Sequence, residues 1–257
     1  MSEAQAEQKT GETQTVETKQ EINDNPEFEI LPEDYSSFDL SFKLIVIGDS
    51  GVGKSCLTNN AIKNTFDDTY NATVGFEFFT FNIKLNNKVV KLQIWDTCGQ
   101  ELYRSLITNF YRNTSLAIMV YSINSKDSFE NIEMWLRELR THSSPDAKVF
   151  LIGNKVDLEN EREVSKEQAE TYSKNNKCDL FLETSAKTGL NAQKVFISAA
   201  KLLLENYNQY EDGKKKDGDI ETDEMINEIV PPQKLQNPTT NTDSKNPGAN
   251  PAKKKCC

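Results

Sequence analysis

The chain of 257 residues has a single histidine, His142. A metal centre built from clustered imidazoles and thiolates is thereby nearly excluded, and His142 is expected at the surface near a helix end. The five cysteines, at 56, 98, 178, 256 and 257, show no framework spacing and the last two are adjacent. A reducing cytosol fits that pattern better than a disulfide scaffold does. Long hydrophobic runs are also missing. LAIMVY, 116–121, is among the longest, far short of the ~20 apolar residues of a membrane-spanning helix. The N-terminal segment is acidic and lacks a basic-then-apolar signal pattern, so no secretory route is expected.

Apolar residues make up 36% of the chain, a low share for a fully folded chain of this length. The shortfall lies at the two ends. Residues 1–40 carry eleven acids against two lysines, a net charge of −9, with few large apolar side chains. Residues 211–257 are rich in Lys, Asp, Asn and Pro, with nine acids against eight lysines. Neither end has the apolar surface to offset the entropy of ordering. The expected organisation is an acidic disordered arm over 1–40, one folded domain over 41–207, and a disordered tail over 208–257. Because the chain totals −10 and its ends account for −9 and −1, residues 41–210 are neutral. The acidity belongs to the arm and argues against non-specific nucleic-acid binding.

Between 41 and 207, short apolar runs alternate with helical stretches. FKLIVIG, VVKLQIW, LAIMVYS, KVFLIG and DLFLE read as strands. SFENIEMWLRELR has a helical stripe at Phe129, Ile132, Trp135/Leu136 and Leu139; SKEQAETY opens on a capping box, Ser165 with Gln168; NAQKVFISAAKLLLENY is a last amphipathic helix. FEFFTFNIKL, NNK and VVKLQIW form a hairpin. The expected fold is α/β: a doubly wound, mostly parallel six-stranded sheet with one antiparallel edge strand and about five helices. Four strands end directly in polar clusters: IVIG-DSGVGKS, QIW-DTCGQE, FLIG-NKVD and FLE-TSAK. Ligands of open parallel sheets bind at the carboxyl ends of the strands, so the four clusters should meet in one crevice.

GDSGVGKS, 48–55, matches GxxxxGK[ST] between a strand and the helical KSCLTNNAIK, the context that marks the phosphate-binding loop of P-loop NTPases. Backbone N–H groups from Asp49, Ser50, Gly51, Val52 and Gly53 through Cys56 would surround a phosphate chain at a helix N-terminus. Lys54 supplies a cation to the terminal phosphates and Ser55 a hydroxyl ligand for Mg2+. An isolated Asp96 at a strand end would read as a cap or turn residue; beside such a loop it reads as the carboxylate that holds magnesium through water. In NKVD, Asp157 can accept from the ring N–H and the exocyclic amine of guanine. Adenine offers neither donor there, at a cost of about 1–3 kcal/mol or more for the unsatisfied carboxylate. Asn154 can tie this loop to the phosphate loop, and Lys155 can lay its stem along the base. In TSAK, 184–187, Ser185, Ala186 and Lys187 line the base, with the Ala186 N–H toward the guanine oxygen. The nucleotide is expected to be guanine.

GDSGVGKS, WDTCGQE, GNKVD and TSAK in this order resemble the Ras superfamily of small GTPases. DDTYNATVGFEF, LYRSLITNFYRNT and the terminal Cys-Cys narrow the resemblance to the Rab family. The resemblance implies a slow GTPase with GTP/GDP and Mg2+. Thr73 would ligate Mg2+ and sense the γ-phosphate, Gly99 would offer its N–H to that phosphate, and Gln100 would orient the attacking water. Phe66 would pack on the base edge and Tyr70 would close over the phosphates; both also suit ordinary core or surface aromatics. Departures from the family pattern are VGFEF, Asn113 in place of glycine, Ser122 in place of aspartate, and Cys98 in place of alanine. Cys98 has no histidine nearby in sequence to act as base, and Asp96 and bound phosphates would raise a thiol pKa. It is expected to be a small side chain in a turn, slowing hydrolysis. A GTP-dependent binding scaffold that scarcely hydrolyses is the alternative it leaves open.

The resemblance further implies geranylgeranyl groups on Cys256 and Cys257. One chain anchors marginally and two stably, at about 0.8 kcal/mol per buried CH2, and Lys253–Lys255 could add about 1 kcal/mol each at an anionic leaflet. A flexible tail of this length spans about 40 Å. The implied partners are a nucleotide exchange factor, a GTPase-activating protein, a GDP dissociation inhibitor, prenylation machinery and vesicle-traffic effectors, with the chain itself a monomer. The implied place is the cytoplasmic face of endomembranes or the cell membrane, with a soluble cytosolic pool.

Overall fold

All seven residues of the segment Leu116–Ser122 are buried. Successive side chains of a strand point to opposite faces, so this segment needs cover on both, as in a parallel sheet with helices on each side. The computed structural model describes residues 28–67, 75–97 and 110–216. Its strands are β1 (Phe28–Leu31), β2 (Leu40–Ile47), β3 (Phe76–Leu85), β4 (Lys88–Thr97), β5 (Leu116–Ser122), β6 (Lys148–Asn154) and β7 (Leu180–Glu183). They form a seven-stranded sheet in the order β1-β3-β4-β2-β5-β6-β7. Pairs from β4 through β7 are parallel, whereas β3 is antiparallel to both β4 and β1. Among the described strands β3 alone runs against the rest.

Helices α1 (Lys54–Lys63) and α5 (Ala192–Lys216) cover one face; α2 (Lys126–Glu130), α3 (Ile132–His142) and α4 (Lys166–Asn175) cover the other. Alternation along each strand divides the core accordingly. Leu44, Val46, Leu116, Ile118, Val120, Phe150 and Ile152 pack toward α1 and α5. Ile45, Ile47, Ala117, Met119, Tyr121, Val149 and Leu151 pack toward α2, α3 and α4. The expected stripe on α3 is in place, with Ile132, Trp135, Leu136 and Leu139 buried. The Ser165 hydroxyl caps α4 by accepting from the Gln168 N–H at 3.1 Å. His142 is exposed at the end of α3. Among the described residues no helix is long and apolar enough to cross a membrane.

The doubly wound architecture agrees with the sequence, with three local differences. The sheet has seven strands rather than six, because Phe28–Leu31 pairs along the outer edge of β3. That pairing is held by contacts distant in sequence. Asn82 Nδ2 donates to the carbonyls of Pro32 at 2.8 Å and Glu33 at 3.1 Å. The last helix continues to Lys216 rather than ending near 207. The helix expected over 128–140 is split at Asn131, whose side chain turns toward the loop after β2.

Register fixes where the strands end. Val46 lies opposite Asp96, Ile47 opposite Met119, Ser122 opposite Asn154 and Gly153 opposite Glu183. The carboxyl ends of β2, β4, β6 and β7 therefore lie along one side of the sheet.

Candidate functional site

Between Ile47 and α1 the chain turns through Gly48–Gly53, with no room for a side chain at either end of the turn. Gly48 has φ +140°, and a Cβ there would lie 2.1 Å from the Val120 carbonyl oxygen. Gly53, with φ +95°, would put a Cβ 2.4 Å from Asn154 Nδ2. Only glycine permits the loop to press against β5 and β6 in this way. Ser50 and Gly51 are exposed on the outside of the turn and Val52 is buried beneath it. The loop ends at the N-terminus of α1, where backbone N–H groups and the helix dipole favour an anion.

Lys54 opens α1 and is buried. Its ammonium donates to the carbonyl oxygens of Gly48 at 2.9 Å and Asp49 at 2.7 Å, which holds the charge over its own loop. The Asp49 carboxylate accepts from Asn131 Nδ2 at 2.7 Å and Trp135 Nε1 at 2.8 Å. Cys56 is half-buried, and burial followed by the charge of Asp96 pushes its thiol pKa up. That shift makes it a poor nucleophile.

Asp96 lies on β4 beside the loop and is fully buried. One carboxylate oxygen, Oδ2, accepts from the Ser55 hydroxyl. The other, Oδ1, is buried with no hydrogen-bond partner among the described residues. Burial pushes the Asp96 pKa up to about 6, while the hydrogen bond from Ser55 and the charge of Lys54 act in the opposite direction. A buried carboxylate with one oxygen unmatched is costly unless a cation or ordered water meets it. Together with the adjacent hydroxyl it forms a hard-oxygen pair suited to Mg2+.

The base end is organised by Asn154, which is fully buried. Its Nδ2 donates to the Val52 carbonyl at 2.9 Å, and its Oδ1 accepts from Thr184 Oγ1 and the Ala186 N–H, each at 3.1 Å. The expected tie between the NKVD and phosphate loops is present, and the same side chain also holds TSAK. Because the Ala186 N–H already donates to Asn154, a guanine oxygen would be its second acceptor. Asp157 is exposed, so any penalty for mispairing arises once a base covers it. Its Oδ1 accepts from Ser185 Oγ at 2.6 Å, which orients the carboxylate. Lys155 takes a left-handed conformation with φ +70°, and Lys187 is exposed. From the opposite side, Asn60 on α1 donates to the Ala186 carbonyl at 2.9 Å.

Asp49, Ser50, Gly51, Val52, Gly53, Lys54, Ser55, Cys56, Asp96, Asn154, Lys155, Asp157, Ser185, Ala186 and Lys187 thus lie on strand ends, loops and the first turn of α1 at one side of the sheet. Phe66 is described and exposed. Tyr70, Thr73, Cys98, Gly99, Gln100, Cys256 and Cys257 lie outside the described residues. Asn113, which replaces the glycine of the family pattern, adopts φ +59°, the left-handed region in which asparagine is tolerated best after glycine. The sequence reading missed the anchoring of Asp49 by Asn131 and Trp135. Trp135 fell on the apolar stripe of a helix, and nothing local distinguishes its N–H as a donor to a loop 86 residues away.

Comparison with known proteins agrees with this geometry. The Ras family model matches residues 43–205. The Ras-related protein Rab-4B of Rattus norvegicus is 43% identical over 168 residues, covering 65% of this chain and 78% of that protein. The Rab-4B proteins of Homo sapiens and Mus musculus match with the same identity, 43%, over the same 168 residues. The chain belongs to the Ras family of small GTPases, within its Rab branch, and is a guanine-nucleotide-binding switch that hydrolyses GTP.

Proposed function

We propose that the crevice at the carboxyl ends of β2, β4, β6 and β7 is the GTP/GDP and Mg2+ site, and that its cycle serves vesicle-mediated membrane traffic. The observation that carries the site is the buried Asp96 carboxylate, with one oxygen on Ser55 and the other without a partner among the described residues, beside a glycine loop at a helix N-terminus. Ser55, Thr73 and Asp96 would hold Mg2+, Asp96 through water. When bound, the metal would neutralise charge on the phosphates. Backbone N–H groups of Asp49 through Cys56 bind the phosphates, and Lys54 moves its ammonium from loop carbonyls to the terminal phosphates. Gly99 would contact the γ-phosphate, and Gln100 would orient the water that attacks it. Such catalysis is positioning and electrostatics, slow until an activating protein adds charge.

At the other end, Asp157 reads the ring N–H and exocyclic amine of guanine, while Ser185, Ala186 and Lys187 line the base with Lys155 and Phe66. Tyr70 would close over the phosphates. Loss of the γ-phosphate releases the segments around Thr73 and Gly99–Gln100, which is the switch read by effectors. An exposed aromatic face suits such effectors. Phe76 and Phe78 are 48% and 49% exposed and pack against Trp95 with ring centroids 5.3 and 5.2 Å away. Geranylgeranyl groups on Cys256 and Cys257 would anchor the protein to the cytoplasmic face of endomembranes or the cell membrane. A GDP dissociation inhibitor would maintain the soluble pool, and an exchange factor would reload the site.

The test is Asp157→Asn. GTP affinity should fall at least tenfold and xanthosine triphosphate binding should improve, because the amide reverses one donor–acceptor pair. Unchanged GTP affinity would remove the guanine assignment.

A further inference from the structure

The turn that follows NKVD ends at Arg162, whose guanidinium uses all five of its N–H donors. Nε and Nη2 donate to the two oxygens of Glu159, at 2.8 and 2.7 Å. Nη1 and Nη2 donate to the two oxygens of Glu183, at 2.6 and 3.1 Å, and Nη1 also reaches the Val164 carbonyl at 3.0 Å. Each carboxylate is therefore gripped by a two-pronged fork, a geometry that lysine cannot reproduce.

The two glutamates belong to different loops of the base site. Glu159 lies two residues beyond Asp157, and Glu183 two residues before Ser185. On the inner side the same loops are joined by Ser185 Oγ to Asp157 Oδ1 at 2.6 Å and by the Val156 N–H to the Thr184 carbonyl at 3.1 Å. Glu183 is fixed further by Asn191 Nδ2, which donates to its carbonyl at 2.8 Å. The Arg162 and Glu183 side chains are 18% and 16% exposed, whereas Glu159 is 63% exposed. The Glu183 half of the clamp is sheltered from solvent screening; the Glu159 half is worth little by itself and serves to fix direction.

We propose that Arg162 is a positioning residue for base recognition: by clamping Glu159 to Glu183 it sets the angle of the Asp157 carboxylate and so the discrimination between guanine and hypoxanthine nucleotides. This rests on the reading of Asp157 as the guanine acceptor. Guanine gives that carboxylate two donors, whereas hypoxanthine lacks the exocyclic amine and gives one. Ser185 holds Oδ1, so the orientation of Oδ2 depends on how the turn carrying Asp157 is tilted against TSAK. When the outer clamp is released the turn can rock about the Ser185 contact, and the second of the two base bonds is lost before the first.

The experiment measures GDP and IDP dissociation constants on the full chain by competition. A hydrogen bond to a charged acceptor corresponds to roughly tenfold or more in the wild-type GDP/IDP preference. Arg162→Ala should cut that preference at least threefold by weakening GDP more than IDP, and Arg162→Lys should restore little of it. Equal losses for the two nucleotides would overturn the proposal, because they would make Arg162 a purely structural residue. If Arg162→Ala fails to fold, Glu183→Gln on the sheltered half should shift the preference in the same direction, and an unchanged preference there refutes the clamp. Asp157→Ala in the same assay separates the two levels. If it leaves the preference intact, the acceptor assignment itself is wrong; if it abolishes the preference while Arg162→Ala does not change it, only the clamp is wrong.

Discussion

Asn154 is the side chain on which both halves of the nucleotide site converge, and Asn154→Ala tests that convergence. The substitution removes three hydrogen bonds, to the Val52 carbonyl at 2.9 Å and from Thr184 Oγ1 and the Ala186 N–H at 3.1 Å each. At about 1 kcal/mol net per bond the loss is about 3 kcal/mol, because Asn154, Thr184 and Ala186 are buried and water does not readily replace it. With 1.4 kcal/mol per factor of ten, the ceiling is a change of about a hundredfold in nucleotide affinity. Part of the loss falls on the folded state instead, as a fall in Tm of up to ~10 °C. Release of a fluorescent GDP analogue should therefore accelerate between about tenfold and a hundredfold. Asn154→Asp divides the effect: it keeps an acceptor for Thr184 and Ala186 but sets an oxygen against the Val52 carbonyl. It should loosen the phosphate loop at least as much as alanine while leaving TSAK tethered. GDP release within twofold of the wild type in Asn154→Ala would refute the idea that this side chain ties the two ends of the site together.

Ser55→Asn should shift the purified protein toward GDP, because the metal ligand matters most when a γ-phosphate is present; nucleotide content by chromatography checks this, and a predominantly GTP-loaded variant would contradict it. Trp135→Phe keeps the packing of α3 but deletes the N–H that fixes Asp49 at 2.8 Å. GDP release should rise by up to roughly tenfold for one lost charge-assisted bond, and a rate equal to wild type would show the contact to be idle. Cys98→Ala should speed single-turnover GTP hydrolysis severalfold with GTP binding retained, whereas equal rates would mean that sulfur and methyl are equivalent there. Replacing Cys256 and Cys257 by serine should yield a soluble, nucleotide-competent protein in membrane fractionation; undiminished membrane association would place the anchor elsewhere.

Local periodicity and spacing determined much of this protein. Strands buried on both faces read as continuous apolar runs, and Lys54–Lys63 is helical over the same ten residues that the sequence marked. The phosphate loop and NKVD were legible for the same reason: their chemistry needs particular residue types at fixed short spacing, directly after a strand. What tertiary structure alone decided was each contact between segments far apart in the chain. Phe28–Leu31 carries no strong strand signal in an acidic arm; it is a strand because β3 leaves an open edge and Asn82 grips the carbonyls that follow. Trp135 reads as core, and nothing local in the sequence singles out Arg162 or Glu183. Only the folded sheet turns the first into a donor to Asp49 and the other two into a clamp across the base loops. Backbone conformation responds to near neighbours, which the sequence states. A side-chain hydrogen bond depends on distance and direction to within a few tenths of an ångström, and strand register and helix placement supply those only once the chain has folded.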